Sequence, residues 1–139
     1  MNSTLDHNKA IVIRFNKEVI EQGNVETFNA LVAEDFINHS APPGAPKGPE
    51  GMIYFFTRIL RPAFSDLKAE IYDQVAEGDK VTTRKAFYGI HTGELMGIPA
   101  SNKKVVIEVI DIVRLRDGKY IEHWGINNMQ SVMARLAVA

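Results

Sequence analysis

Cysteine is absent from this 139-residue sequence, which excludes a disulfide framework, a thiol nucleophile and a thiolate metal site. An excess of either charge is also missing, since 16 Lys and Arg face 17 Asp and Glu for a net charge of −1. Without a basic run, we predict neither a nucleic-acid nor a membrane partner. No apolar run could span a bilayer, and residues 1–9 lack the apolar segment of a signal peptide, so we expect a cytoplasmic protein.

The composition is that of one ordinary globular domain, which we expect to span residues 1–139. In the first half, apolar residues recur at helical spacing in three places, which predicts helices over residues 5–22, after Asn24 and after Pro49. Gly23 fits the left-handed position past a helix end, Asn24 fits an N-cap, and Pro49 suits a first helical turn.

In the second half the period changes to two, which predicts strands over residues 67–75 and 81–92 and a hairpin over 105–128. Asp117-Gly118 between apolar runs is a strong signal for the hairpin turn. Helices followed by strands indicate an α+β fold. The other segments are predicted as two loops, 41–47 and 93–104, and a closing helix or tail, 129–138.

One carboxylate interrupts the apolar side of the first hairpin strand. Because side chains alternate between the faces of a strand, Asp111 shares its face with Val109 and Val113. A buried carboxylate is costly, so it is paired, hydrogen-bonded or protonated. We predict that burial raises its pKa and makes Asp111 a pocket acid, and the alternative is a structural carboxylate tied to the backbone or to Arg84.

Three modest helices can cover only one face of a four-stranded sheet. We therefore expect a pocket between the helices and the covered face. The other face carries Ile110 and Ile112, which predicts that it meets a second copy of the chain in a homodimer.

Several short motifs, in their order along the chain, resemble the SnoaL-like polyketide cyclases, also called predicted ester cyclases, of the NTF2-like superfamily. They are FINHS (36–40), GPEG (48–51), AEGDKV (76–81), GIHTGELMGIP (89–99), DGK (117–119) and EHW (122–124). The resemblance implies a cone in which three N-terminal helices pack on a curved, mostly antiparallel sheet. It also implies a cofactor-free enzyme, or a non-catalytic small-ligand-binding protein on the same fold.

Residues 109–114 (VIDIVR) are similar to the strand of ketosteroid isomerases that carries their oxyanion-hole aspartate. This resemblance implies acid–base chemistry next to a carbonyl group, with stabilisation of the resulting enolate. It places Asp111 on that aspartate and His39 on or beside the base, with Ser40 as the alternative. The isomerases have a tyrosine where this chain has Phe15-Asn16, and cyclases commonly have an aspartate where it has Asn127-Asn128.

The predicted function is cyclase-like or isomerase-like chemistry on a small hydrophobic carbonyl or ester compound. His39 and Asp111 are the predicted catalytic residues, and the alternative for His39 is a histidine that pins the Pro-rich loop. The four histidines show no metal-site spacing, so we predict no metal. The predicted substrate-binding residues are Phe15, Asn16, Phe56, Arg84, His91, Trp124 and Asn128.

Overall fold

The computed structural model describes residues 3–138, in which three helical rods precede the long strands. The helical segments are α1 (Thr4–Arg14) with a π-helical continuation (Phe15–Glu21), α2 (Val25–Leu31), α3 (Pro49–Tyr54) with a second π-helical continuation (Phe55–Leu60) and the short α4 (Arg61–Ala63), and α5 (Met129–Leu136). The three predicted N-terminal helices are confirmed, and α5 adds a C-terminal one. No helix in residues 3–138 is both long and apolar enough to cross a membrane.

The helix ends follow the capping signals of the sequence. Gly23 has a φ of +70°, the left-handed conformation that glycine adopts without a Cβ penalty. The Asn24 side chain then caps α2 by accepting the Thr27 N–H at 3.1 Å. Pro49 lies in the first turn of α3, where its missing N–H costs nothing.

Five strands form one sheet in the order β1-β5-β4-β3-β2, in which only the β1–β5 pair is parallel. At the β4–β5 turn, Asp117 and Gly118 have φ values of 52° and 76°, as a type I′ hairpin requires. β2 begins three residues earlier than predicted, because a bulge near Asp66 joins its first residues to the sheet. The strands are β1 (Val32–Asn38), β2 (Phe64–Glu77), β3 (Lys80–His91), β4 (Lys104–Arg116) and β5 (Lys119–Asn127).

The helices pack on one face of the sheet, which we call the covered face. It carries the buried side chains of Val81 and Ile107 together with Asp111. The opposite, outer face exposes a set of large apolar side chains: Tyr72, Val75, Tyr88, Val106, Ile110 and Ile126. The α+β architecture of helices on a mostly antiparallel sheet is confirmed.

His91 anchors the loop over residues 92–103. Its N–H donates to Lys103 O at 2.9 Å, and its carbonyl accepts the N–H groups of Ser101 and Asn102 at 3.1 and 2.8 Å. Its ring is fully buried, and Nδ1 lies 2.8 Å from Ser101 Oγ. His91 therefore holds the loop from inside, whereas the sequence analysis named it as a substrate-binding residue.

Candidate active site

Asp111 on β4 is the centre of the candidate site, and it is 5% exposed beneath the helices. Its Oδ2 lies 3.0 Å from Lys85 Nζ and 3.3 Å from His123 Nε2. Its Oδ1 is buried and has no hydrogen-bond partner within residues 3–138. One oxygen of the carboxylate is thus shared by two side chains, while the other is left open.

Lys85 reaches Asp111 from the neighbouring strand β3. It pairs with Val109, which is two residues from Asp111 and on the same face. Lys85 Nζ also donates to Asn16 Oδ1 at 2.8 Å, and Asn16 Nδ2 donates to Val12 O at 2.9 Å. The ammonium is therefore held between a carboxylate on the sheet and an amide on the helix.

His123 approaches Asp111 from the other neighbour, β5. Its Nδ1 lies 2.9 Å from Asn38 Oδ1, which also accepts the Ser40 N–H at 3.0 Å. That donor fixes the orientation of the Asn38 amide. Both ring nitrogens of His123 consequently face oxygen atoms, Nδ1 that of Asn38 and Nε2 that of Asp111.

Gly125 leaves the space in which His123 and Asp111 meet. It pairs with Asp111 across the β4–β5 ladder. A Cβ on Gly125 would lie 3.1 Å from His123 Cε1 and 3.4 Å from Asp111 Cβ. We call the resulting line of side chains the charged row: Asn16, Lys85, Asp111, His123 and Asn38.

The pKa of Asp111 follows from this row. Burial raises it, but the Lys85 ammonium and the His123 hydrogen bond together lower it by more, so that the net pKa lies below the usual range. The predicted rise is therefore wrong, because the sequence argument counted burial without the two partners. For the nearby Tyr120 phenol, burial and the charge of Asp111 both raise the pKa.

His39 does not join the charged row. Its ring stacks on Trp124 at 4.9 Å, and its Nε2 lies 2.8 Å from Glu122 Oε2. Trp124 pairs with Ile112 on the outer face, next to Gly125 on the covered face. The predicted meeting of His39 and Asp111 is therefore wrong. The alternative, in which His39 pins the Pro-rich loop, stays a prediction, since the ring contacts named here are with β5.

Ser40, the alternative base, uses its hydroxyl for the backbone. Its Oγ accepts the Gly125 N–H at 2.7 Å. This bond extends the β1–β5 contact past the end of β1 and brings Asn38 to His123. Ser40 is therefore not a member of the charged row, but its bond to Gly125 holds Asn38 beside His123.

The predicted substrate-binding residues divide into two groups. Phe15, Asn16 and Phe56 are buried residues of the helical rods that face the sheet, and the Phe15 ring stacks on Tyr120 at 4.4 Å. The others do not reach the charged row, and their predicted role in substrate binding stays a prediction. Arg84 pairs with Asp73 on the outer face, Trp124 lies on the same face, His91 holds the 92–103 loop, and Asn128 Oδ1 accepts the Glu108 N–H.

Two grooves flank the first helical rod. One, of about 300 Å³, lies between its π-helical part and β2 and reaches Asn16 at one end of the charged row. The other, of about 370 Å³, lies at the β2–β3 and β4–β5 turns. Neither is lined by Asp111, so the two grooves do not form the pocket expected beside that residue.

The sequence argument misses Lys85, His123 and Asn38. A signal existed for Lys85, since it alternates with the apolar Val81 and Phe87 and so falls on the covered face. His123 likewise alternates with Gly125 on the face of Asp111. Asn38 carried no such signal, because only the packing of β1 beside β5 brings it to the row.

The helices on this sheet define an NTF2-like cone with a row of charged and polar side chains beneath the helices. A profile of the SnoaL-like polyketide cyclases matches residues 10–136, and the chain belongs to that family. This match confirms the family expected from the sequence motifs.

Individual relatives agree with that assignment. The chain is 29% identical over 117 residues to the aklanonic acid methyl ester cyclase DauD of Streptomyces sp. (strain C5), covering 81% of this chain and 71% of that one. Its identity to the cyclase DnrD of Streptomyces peucetius, of the same description, is 29% over 115 residues, covering 81% and 79%.

Solved structures support the fold. TsrD from Streptomyces laurentii superposes with a TM-score of 0.85 at 25% identity, covering 99% of this chain and all of that one. IdmH from Streptomyces antibioticus superposes with a TM-score of 0.78 at 31% identity, covering 94% and 99%.

Proposed function

We propose that this chain is a cofactor-independent acid–base enzyme that moves a proton next to a carbonyl group, as a cyclase or isomerase does. Its family and the cyclase names of DauD and DnrD support this class of reaction. The observation that carries the proposal is the Oδ1 atom of Asp111, a buried carboxylate oxygen with no partner within residues 3–138.

Asp111 Oδ1 is the atom that we propose accepts the proton. Because this oxygen is buried and has no partner, it is free to approach a substrate C–H group. In the proposed step that C–H bond breaks, its electron pair stays on the substrate as the enolate, and a new O–H bond forms on Oδ1. The Lys85 ammonium and the His123 ring lie on the other carboxylate oxygen. The positive charge of Lys85 favours the negative charge that develops on the substrate as an enolate forms.

The lowered pKa of Asp111 restricts the substrate class. A weakly basic carboxylate removes a proton efficiently only from an acidic carbon, such as one between two carbonyl groups. The stacked Phe15 and Tyr120 rings make the surroundings apolar. We therefore propose a hydrophobic β-keto ester or a similar dicarbonyl compound as the substrate.

Asp111→Asn should reduce turnover of such compounds by about a hundredfold or more, because an amide cannot accept the proton. The measurement is deuterium exchange at the carbon between the carbonyl groups of a β-keto ester panel, followed by NMR above the buffer rate. Asp73→Asn, on the outer face, is the matched control and should exchange at the wild-type rate. Equal rates in both folded variants would refute the role of Asp111.

One observation favours a second candidate, a non-catalytic protein that binds a small apolar ligand. Asp111 is buried beneath the helices and neither groove reaches it, since the nearer groove ends at Asn16. In the enzyme, the helices must move to admit substrate. A wild-type protein that co-purifies with a ligand but exchanges no panel compound above buffer would support the binding protein instead.

We also propose that the chain forms a homodimer through its outer face. Ile110 and Ile126 are cross-strand partners there and remain 44% and 71% exposed. Tyr88 and Val106 extend this apolar surface over β3 and β4. A patch of this kind is self-complementary when two copies meet about a two-fold axis.

Ile110→Asp should convert the dimer to a monomer, because it places a charge at the centre of the apolar contact. Light scattering coupled to size-exclusion chromatography measures the mass of each species. Ile13→Asp is the control, since Ile13 is 49% exposed on α1, away from this face. A wild-type protein that elutes as a monomer at high concentration would contradict the dimer.

A further inference from the structure

The first helical rod changes to π-helical geometry at Phe15, and Asn16 is the second residue of that segment. Asn16 is only 1% exposed, although it is a polar residue on a helix. Both ends of its amide are used, since Nδ2 donates to Val12 O and Oδ1 accepts from Lys85 Nζ. Single π-helical turns occur frequently at functional sites.

We propose that Asn16 is a positioning residue of the charged row, which holds the Lys85 ammonium in place against Asp111. The geometry supports it directly: Lys85 Nζ lies 2.8 Å from Asn16 Oδ1 and 3.0 Å from Asp111 Oδ2. A lysine stem has four flexible bonds and its ammonium can rotate. Asn16 Oδ1 on the helix and Asp111 Oδ2 on the sheet together fix the position of the Lys85 ammonium, which a single acceptor would leave free to move.

The charges around Asp111 show why this position matters. Lys85 from β3 and His123 from β5 lower its proton affinity, and the Tyr120 phenol lies nearby on β5. From the helical layer, the uncharged amide of Asn16 contacts the Lys85 ammonium. Asn16 therefore connects the helices to the charge that governs Asp111 without adding a charge of its own.

The inference rests on the proposed function only where it treats Asp111 as the base. The position of Lys85 and the titration of Asp111 are measurable without a substrate. A failure of this inference is therefore distinguishable from a failure of the proposed enzyme, which is tested by turnover.

The decisive variant is Asn16→Asp, with Asn8→Asp as its matched control. Both positions are buried asparagines of the first helical rod, but Asn8 has no contact with Lys85 among the described residues. A carboxylate at position 16 shares the Lys85 ammonium and repels Asp111, so that Asp111 binds a proton more tightly. The same charge at position 8 should leave Asp111 unchanged.

The measurement is the side-chain carboxyl ¹³C NMR signal of Asp111 as a function of pH. In the wild type its titration midpoint should lie below the ordinary range of an aspartate, because Lys85 and His123 lower the pKa of Asp111. In Asn16→Asp its midpoint should rise by about one pH unit or more, a tenfold increase in proton affinity. Equal midpoints in Asn16→Asp and Asn8→Asp would overturn the proposal.

If Asn16→Asp does not fold, Asn16→Ala and Asn8→Ala provide the test. Removal of the Asn16 acceptor should release the Lys85 ammonium, because a buried donor without an acceptor is costly and forms hydrogen bonds with water instead. We therefore expect its Nζ protons to exchange with water at least about tenfold faster. Nitrogen-detected NMR of the lysine side chains measures this rate. Identical Lys85 exchange in the two alanine variants would overturn the positioning role.

Discussion

Asp111→Leu should lower the free energy of unfolding by about 3–5 kcal/mol, because it leaves the Lys85 ammonium buried without its counter-charge. The two side chains are only 6% and 4% exposed, so water cannot replace the lost partner. If Lys85 were not its partner, replacing the buried Asp111 by an apolar residue would be expected to stabilise the core. The sign of the effect therefore depends on the ion pair.

Urea denaturation at neutral pH measures this loss. The matched control is Asp73→Leu, which also removes an aspartate from an ion pair on the same sheet. The Arg84–Asp73 side chains are 54% and 63% exposed, and water screens such a pair so that it contributes little to stability. Asp111→Leu should thus cost several times more than Asp73→Leu.

A second variant separates lost charge from lost shape. Combining Asp111→Leu with Lys85→Met removes both members of the buried pair, and this should recover most of the stability. If the double variant is no more stable than the single one, the cost lies in packing. A single variant as stable as the wild type would show that the Lys85–Asp111 pair is absent in solution.

The second large effect is expected from Gly93→Ala, with a loss of about 3 kcal/mol from forced overpacking. A Cβ on Gly93 would lie 2.1 Å from the carbonyl oxygen of Pro62. That atom belongs to the backbone of α4 and cannot rotate away. The N–H groups of Thr92 and Gly93 both donate to Ala63 O, so the two segments are held together where the clash occurs.

Thermal unfolding of Gly93→Ala and of its control, Gly44→Ala, tests this expectation. Gly44 has a φ of +84° and no neighbour within 4 Å of an added Cβ. Gly44→Ala should therefore lower the free energy of unfolding only by the left-handed backbone penalty of about 1–2 kcal/mol. Equal losses in the two variants would mean that the 92–103 loop moves away from Pro62 at little cost.

Local signals were sufficient for most of the fold. Gly23, Asn24 and the Asp117-Gly118 turn each occupy the position that their backbone preferences indicate. Strand alternation placed Asp111 on the buried face, as observed. These features depend on neighbours in the sequence, and a single sequence contains that information.

The partners of Asp111 depend on strand register, which local signals do not contain. Arg84 and Lys85 are adjacent cations on opposite faces of β3, and the pairing of Lys85 with Val109 brings Lys85 close to Asp111. The predicted rise in the pKa of Asp111 counted burial alone. The alternative named Arg84, which lies on the outer face, and so neither prediction included the Lys85 ammonium that lowers this pKa.

The parallel pairing of β1 with β5 has a consequence for the order of folding. Val32 pairs with Tyr120, 88 positions away (120 − 32), whereas the tight β4–β5 turn joins its strands almost directly. Loop-closure entropy disfavours the distant contact, so we expect β1 to join the sheet last. Pulsed hydrogen exchange should show protection of the β1 amides after those of β3 and β4, and simultaneous protection would contradict this order.

Asn38 arrives with β1, so the ring of His123 meets its second acceptor only at that final step. Before then, the nascent sheet already holds Lys85 and Asp111 on adjacent strands. We thus expect the charged row to be completed by the last strand to join, and a folding intermediate that lacks β1 would contain the ion pair but not Asn38.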